Sequence, residues 1–89
     1  MATRSLEIIN EKGLHARASA KLVETVEGFD AQAQIHRDGQ SAAGDSIMGL
    51  LMLAASRGTT IEVETTGPEA DALADAIAAL VADRFGEGM

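Results

Sequence analysis

Four short stretches of this chain alternate apolar with polar residues. Between them, apolar residues recur every three or four positions. That switching of period constrains the fold more than any other feature. An alternating strand has one dry face and one wet face, so such strands share a sheet covered on one side. The segments between them must supply the cover. TTIEVETTG is the clearest strand: Ile61, Val63 and Thr65 face one way, Glu62 and Glu64 the other. Leu6 and Ile8 alternate with Ser5 and Glu7, which predicts a strand over about 4–9. Ala33 and Ile35 alternate with Gln32, Gln34 and His36, and Asp38-Gly39 is a tight hairpin signal. The hairpin predicts strands over 32–37 and 40–43.

Helical spacing begins at Ala16. Leu22, Val23 and Val26 form a stripe, with Glu24 and Glu27 off it, which predicts a helix over 16–27. Gly28 is expected to end it in a left-handed conformation, with Phe29 packing back on the last turn. GDSIMGLLMLAA predicts a short helix over about 46–54, capped by Asp45 or Ser46. Gly67-Pro68 is expected to open the last helix, with the proline at its first position. Leu73, Ile77, Leu80, Val81 and Arg84 trace one face, and Gly86 is expected to end it. The order is β-α-β-β-α-β-α. The fold class is α+β: an open-faced β-sandwich, a four-stranded antiparallel sheet with three helices on one face. A ferredoxin-like βαββαβ module shares the opening elements and stands as the alternative.

Composition narrows the function. The 89 residues are expected to form one domain, residues 1–89. The net charge of −7 repels nucleic-acid phosphates, and Phe29 and Phe85 are the two aromatics, so base stacking has little to work with. The longest apolar run, Ile47–Ala55, is too short to span a bilayer, and MATRSLEIIN lacks a secretory core. No nucleic acid, no membrane insertion and a cytoplasmic location are the expectations. There is no cysteine, and His15 with His36 offers no third ligand at metal-site spacing. No metal and no cofactor are expected.

The chemistry concentrates in NEKGLHARASA, residues 10–20. His15 falls where the loop ends and the helix begins. A neutral imidazole nitrogen is a competent nucleophile toward phosphorus. A helix mouth offers free N–H groups, here those of Ala16 and Arg17, and positive potential for the resulting phosphate. Arg17 adds a fork of donors. Serine or aspartate would cap better, so the histidine breaks a local rule. An exposed loop histidine beside a surface arginine is the plain alternative. On the short helix, Ile47, Met48, Leu51 and Met52 share one arc while Leu50 and Leu53 lie nearly opposite. A helix of two turns on a small domain buries one set and exposes the other.

GLHARASAKLV (13–23) resembles the active-site motif of HPr, the histidine-containing phosphocarrier of the bacterial phosphoenolpyruvate-dependent phosphotransferase system. DSIMGLLMLAASRG (45–58) looks like that family's second signature, and IEVETTGPEADAL (61–73) like its last strand and helix. The resemblance implies that His15 accepts phosphate on Nδ1 from phospho-Enzyme I and passes it to an Enzyme IIA protein. It implies that Arg17 steadies the phosphoryl group, and that the chain is a relay component without independent turnover. It implies partner contacts at Ile47, Met48 and Leu51, with Leu14 and Ala20 beside them. It makes Ser46 a candidate site for HPr kinase/phosphorylase. A monomer is expected. Two departures stand out. Ala18 replaces the family's usual proline, and Glu24, Glu27 and Gly49 stand where lysines are usual, leaving Lys12, Arg17 and Lys21 near the site. LLMLAASRG and IEVETTGPE look closer to NPr, the nitrogen-related branch, while GDSIMG looks like HPr proper. Sugar uptake and nitrogen-related regulation both stay open. A non-covalent binding module, using the helix mouth and the Ile47/Met48/Leu51 patch, is the competing class.

Overall fold

The computed structural model describes residues 1–87. Its sheet holds β1 (Ala2–Glu7), β2 (Gln32–Arg37), β3 (Gln40–Ala43) and β4 (Thr60–Thr66). The order is β1-β4-β2-β3, every neighbouring pair antiparallel. β4 is central because its alternation is the most complete. Ile61, Val63 and Thr65 are buried under the helices, while Thr60 and Glu62 face water. Register follows from that alternation: Leu6 lies opposite Ile61, and Ile35 opposite Val63. β1 is an edge strand, whereas a ferredoxin-like sheet holds its first strand inside. The alternative is thereby removed.

β1 runs two residues earlier than the alternation suggests. Ile8 still pairs, through its N–H to Thr59 O at 2.8 Å and its carbonyl to Gly58 N at 2.7 Å. The β2–β3 boundaries match the expectation, because Asp38 (φ 50°) and Gly39 (φ 81°) make the positive-φ turn that a two-residue hairpin needs.

Three helices cover one face: α1 (Ala16–Glu27), α2 (Ile47–Met52) and α3 (Ala70–Ala82). They bury Leu22, Leu50, Leu53, Leu73 and Ile77 against Ile8, Ile35, Ile61 and Val63. α1 spans the expected residues, but Gly28 is right-handed (φ −79°, ψ −3°). The end tightens instead, with Gly28 N–H to Thr25 O and Phe29 N–H to Val26 O, both at 3.2 Å. Those bonds satisfy the last carbonyls without a left-handed residue. Phe29 is partly buried and packs against the core.

α3 opens at Ala70, not at Pro68. Glu69 takes the cap position because it is tied to Asp30. Its carboxylate accepts the Asp30 N–H at 2.6 Å, and its own N–H donates to Asp30 O at 3.1 Å. Arg84 leaves the helix face. α3 stops at Ala82, and Arg84–Gly86 form a 3-10 turn with Arg84 and Phe85 at φ 53°. Phe85 is fully buried in the core, and Gly86 ends that turn rather than the helix. No helix among the described residues is long and apolar enough to cross a membrane.

Candidate functional site

Gly13 seats the loop before α1. It is left-handed at φ +65°, and a Cβ there would lie 2.5 Å from the Ala55 carbonyl oxygen. Leu14 N–H then donates to that same oxygen at 2.8 Å. These contacts lock the β1–α1 loop to the segment after α2 and leave His15 at the N-cap of α1.

His15 caps through its ring. Its backbone is extended, its carbonyl accepts Ser19 N–H at 2.8 Å, and Nδ1 accepts Arg17 N–H at 3.2 Å. Ala16 N–H has no intrahelical partner at its position in the first turn. Arg17 is exposed, and its guanidinium makes no hydrogen bond or ion pair among the described residues. The ring borders a cleft of about 480 Å³ lined also by Glu11, Lys12, Arg17, Lys21, Gly86 and Glu87. Three cations, Lys12, Arg17 and Lys21, thus converge at this helix mouth of a −7 chain and outnumber the Glu11 and Glu87 carboxylates in the same lining. Together they suit an anion.

Two groups at this site were not expected. Nε2 of His15 is hydrogen-bonded to the Glu87 carboxylate, 72 positions away in the chain. Asn10, fully buried, donates from Nδ2 to Glu87 Oε1 at 2.9 Å and to Gly13 O at 2.8 Å. Burial raises the Glu87 pKa. Hydrogen bonds from Asn10 and His15, with the charges of His15 and Lys12, outweigh it and hold the carboxyl below its ordinary value. The last turn delivers Glu87: Phe85 is sunk in the core, and Lys21 Nζ donates to Phe85 O at 2.6 Å. Sequence offered a faint signal, a lone aromatic before Gly86-Glu87 in an otherwise polar end.

Ser46 caps α2, its Oγ accepting Gly49 N–H at 3.0 Å. Leu50 and Leu53 are buried, while Ile47, Met48 and Met52 are 41%, 71% and 76% exposed. Leu51 and Ala20 are half-buried. Leu14 does not join that surface. It is 4% exposed and belongs to the core, because the bond to Ala55 turns its side chain inward. His36 lies on the wet sheet face with Nε2 3.5 Å from Glu64. No cluster of three potential metal ligands occurs among the described residues.

Solved structures define the class. HPr-C-His from Thermoanaerobacter tengcongensis superposes with a TM-score of 0.95 over all of both chains at 31% identity. The phosphocarrier protein HPr of Bacillus anthracis gives 0.84 at 32% identity, covering 88% of this chain and 93% of that one. This is the fold of the histidine phosphocarriers. The family described as "PTS HPr component phosphorylation site" matches residues 2–83. Phosphocarrier protein HPr of Cupriavidus necator is 49% identical over 88 residues, 99% of each chain, and phosphocarrier protein NPr of Escherichia coli K12 is 41% identical over 85 residues, 94% of each. The chain belongs to the HPr family of bacterial phosphotransferase systems. Its role is that of a phosphocarrier, a relay component rather than a catalyst.

Proposed function

We propose that His15 receives a phosphoryl group on Nδ1 from phospho-Enzyme I, charged in turn by phosphoenolpyruvate, and hands it to Enzyme IIA proteins. One observation carries this reading: the Arg17 N–H points at Nδ1 from 3.2 Å at the mouth of α1. Where a ring nitrogen now accepts that N–H, a phosphoryl oxygen can accept it after transfer. The helix mouth favours the added charge by about 0.3–1 kcal/mol, up to ~2 when partly buried. The Arg17 side chain, unpaired among the described residues, lines the same cleft. In the transfer, the donor's bond to phosphorus breaks and leaves its electron pair on the donor, while the Nδ1 pair forms the new P–N bond. Little covalent help is needed beyond positioning and charge.

Docking uses the exposed Ile47 and Met48 with half-buried Leu51 and Ala20. Methionine suits a surface that meets several partners. With Glu24, Glu27 and Gly49 in place of lysines, apolar contact carries more of the docking than charge does. A phosphate placed on Ser46 by an HPr kinase/phosphorylase would add about −1.5 to −2 charge beside Ile47 and weaken that docking. The chain acts as a single-domain, monomeric, cytoplasmic carrier, in sugar uptake or in nitrogen-related regulation.

The test is a phosphotransfer assay with phosphoenolpyruvate, magnesium and Enzyme I of each branch. The intact mass is read at neutral pH and after mild acid, with His15→Ala alongside. An acid-labile gain of one phosphoryl group, absent in the variant, is expected. No gain with an Enzyme I that charges its own carrier refutes the reading. The Enzyme I that works faster assigns the branch.

A further inference from the structure

Asn10 is the one fully buried amide beside the site, and its arrangement is unusual. Both hydrogens of Nδ2 are used, on Gly13 O and on Glu87 Oε1, while Oδ1 is buried without a partner among the described residues. A buried acceptor left unmade is costly, and an apolar residue would avoid the cost. An amide here is explained by what its donors hold. One fixes the loop that seats His15. The other fixes the carboxylate that meets Nε2 of His15.

The ring has two nitrogens and, when neutral, one proton. Nδ1 accepts the Arg17 N–H, so its lone pair is present. The proton therefore sits on Nε2, where Glu87 accepts it. The nucleophilic pair is thereby placed on the nitrogen at the helix mouth. When Nδ1 gives that pair to phosphorus, the ring becomes a cation that retains the Nε2 proton. The Glu87 carboxylate faces the charge as it develops, in the manner of a carboxylate behind a catalytic histidine. Glu87 needs a grip to do this, because it follows a turn of three positive-φ residues, Arg84, Phe85 and Gly86.

We propose that Asn10 is a positioning residue: its buried amide clamps Glu87 onto Nε2 of His15, which holds the ring proton there and keeps Nδ1 as the phosphoryl acceptor. The kinetic part rests on the carrier reading above; the placement of the ring proton does not.

The experiment uses the full ¹⁵N-labelled chain as wild type, Asn10→Ala, the near-isosteric Asn10→Asp, Glu87→Ala and the Asn10→Ala/Glu87→Ala pair. At about pH 8, where the free imidazole is neutral, wild type should show a downfield proton correlated with Nε2. All four variants should lose it to exchange with water while the remaining amide spectrum keeps its dispersion. In phosphotransfer from Enzyme I, kcat should fall about tenfold in Asn10→Ala with KM unchanged, short of the ~100-fold that a 1 Å misplacement can cost. Asn10→Ala and Glu87→Ala should have similar effects, and the pair should be no worse than either. Persistence of the Nε2 proton in both Asn10 variants overturns the proposal, as does an additive double variant. If wild type takes no phosphoryl group, the carrier reading fails, and the proton spectrum alone decides the clamp.

Discussion

Gly13 and Gly39 allow the seat of the site to be weighed. Both have positive φ, +65° and +81°. A Cβ at Gly39 meets nothing within 4 Å, whereas at Gly13 it falls 2.5 Å from Ala55 O and 2.8 Å from Ser56 Cα. Gly39→Ala should therefore cost the left-handed penalty alone, roughly 1–2 kcal/mol. Gly13→Ala adds overpacking against backbone that cannot rotate away, about 1–3 kcal/mol more, for a total of about 2–5 kcal/mol. At about 4–8 °C per kcal/mol for a domain this small, Tm should fall by about 4–16 °C in Gly39→Ala. In Gly13→Ala it should fall by about 8–40 °C. Thermal melts followed by circular dichroism measure both. Below the melts, Gly13→Ala should slow phosphotransfer, and Gly39→Ala, whose added Cβ meets nothing within 4 Å, should leave it unchanged. Equal Tm shifts would refute the reasoning, because they would mean that the Ala55 segment yields and does not clamp the loop.

Ala54, at φ 51° just beyond α2, stands where a glycine is usual. Ala54→Gly should raise stability by about 1 kcal/mol, read as a higher denaturant midpoint at unchanged slope. Met48 is 71% exposed. Met48→Glu should change stability by less than about 0.5 kcal/mol yet raise the KM for this carrier in Enzyme I assays. Glu87 supplies a pH dependence. Its folded pKa is lowered from 4.5, so its stabilising contribution is complete above that value and is lost as pH falls through the lower folded one. Urea midpoints of wild type and Glu87→Gln should differ at pH 6 and converge well below pH 4.5.

Legibility followed distance along the chain. α1 and the β2–β3 hairpin were readable to the residue, since a period of 3.6 and an Asp38-Gly39 turn are local facts. Departures occurred where a distant segment intervened. Pro68 lost its place in α3 because Asp30 captured Glu69, while Gly28 is a local exception, its left-handed role lost to bonds three residues long that tighten the helix end. Leu14 reads as a surface neighbour of His15 until Ala55 turns it into the core.

The site divides along the same line. His15, Ala16 and Arg17 are contiguous, so their meeting at one helix mouth could be read directly. Glu87 could not be placed beside them, because nothing near residue 15 points to it. Its position depends on Phe85 entering the core through a left-handed turn, on Lys21 holding the Phe85 carbonyl, and on Asn10 gripping the carboxylate across 77 positions. The half of the site that would hold phosphate is thus encoded locally. The half that would set which nitrogen reacts is encoded by packing. Substitutions at Phe85 or Lys21 should therefore disturb the proton on His15 without touching the ring, whereas changes at Arg17 should leave that proton in place and weaken the hold on phosphate.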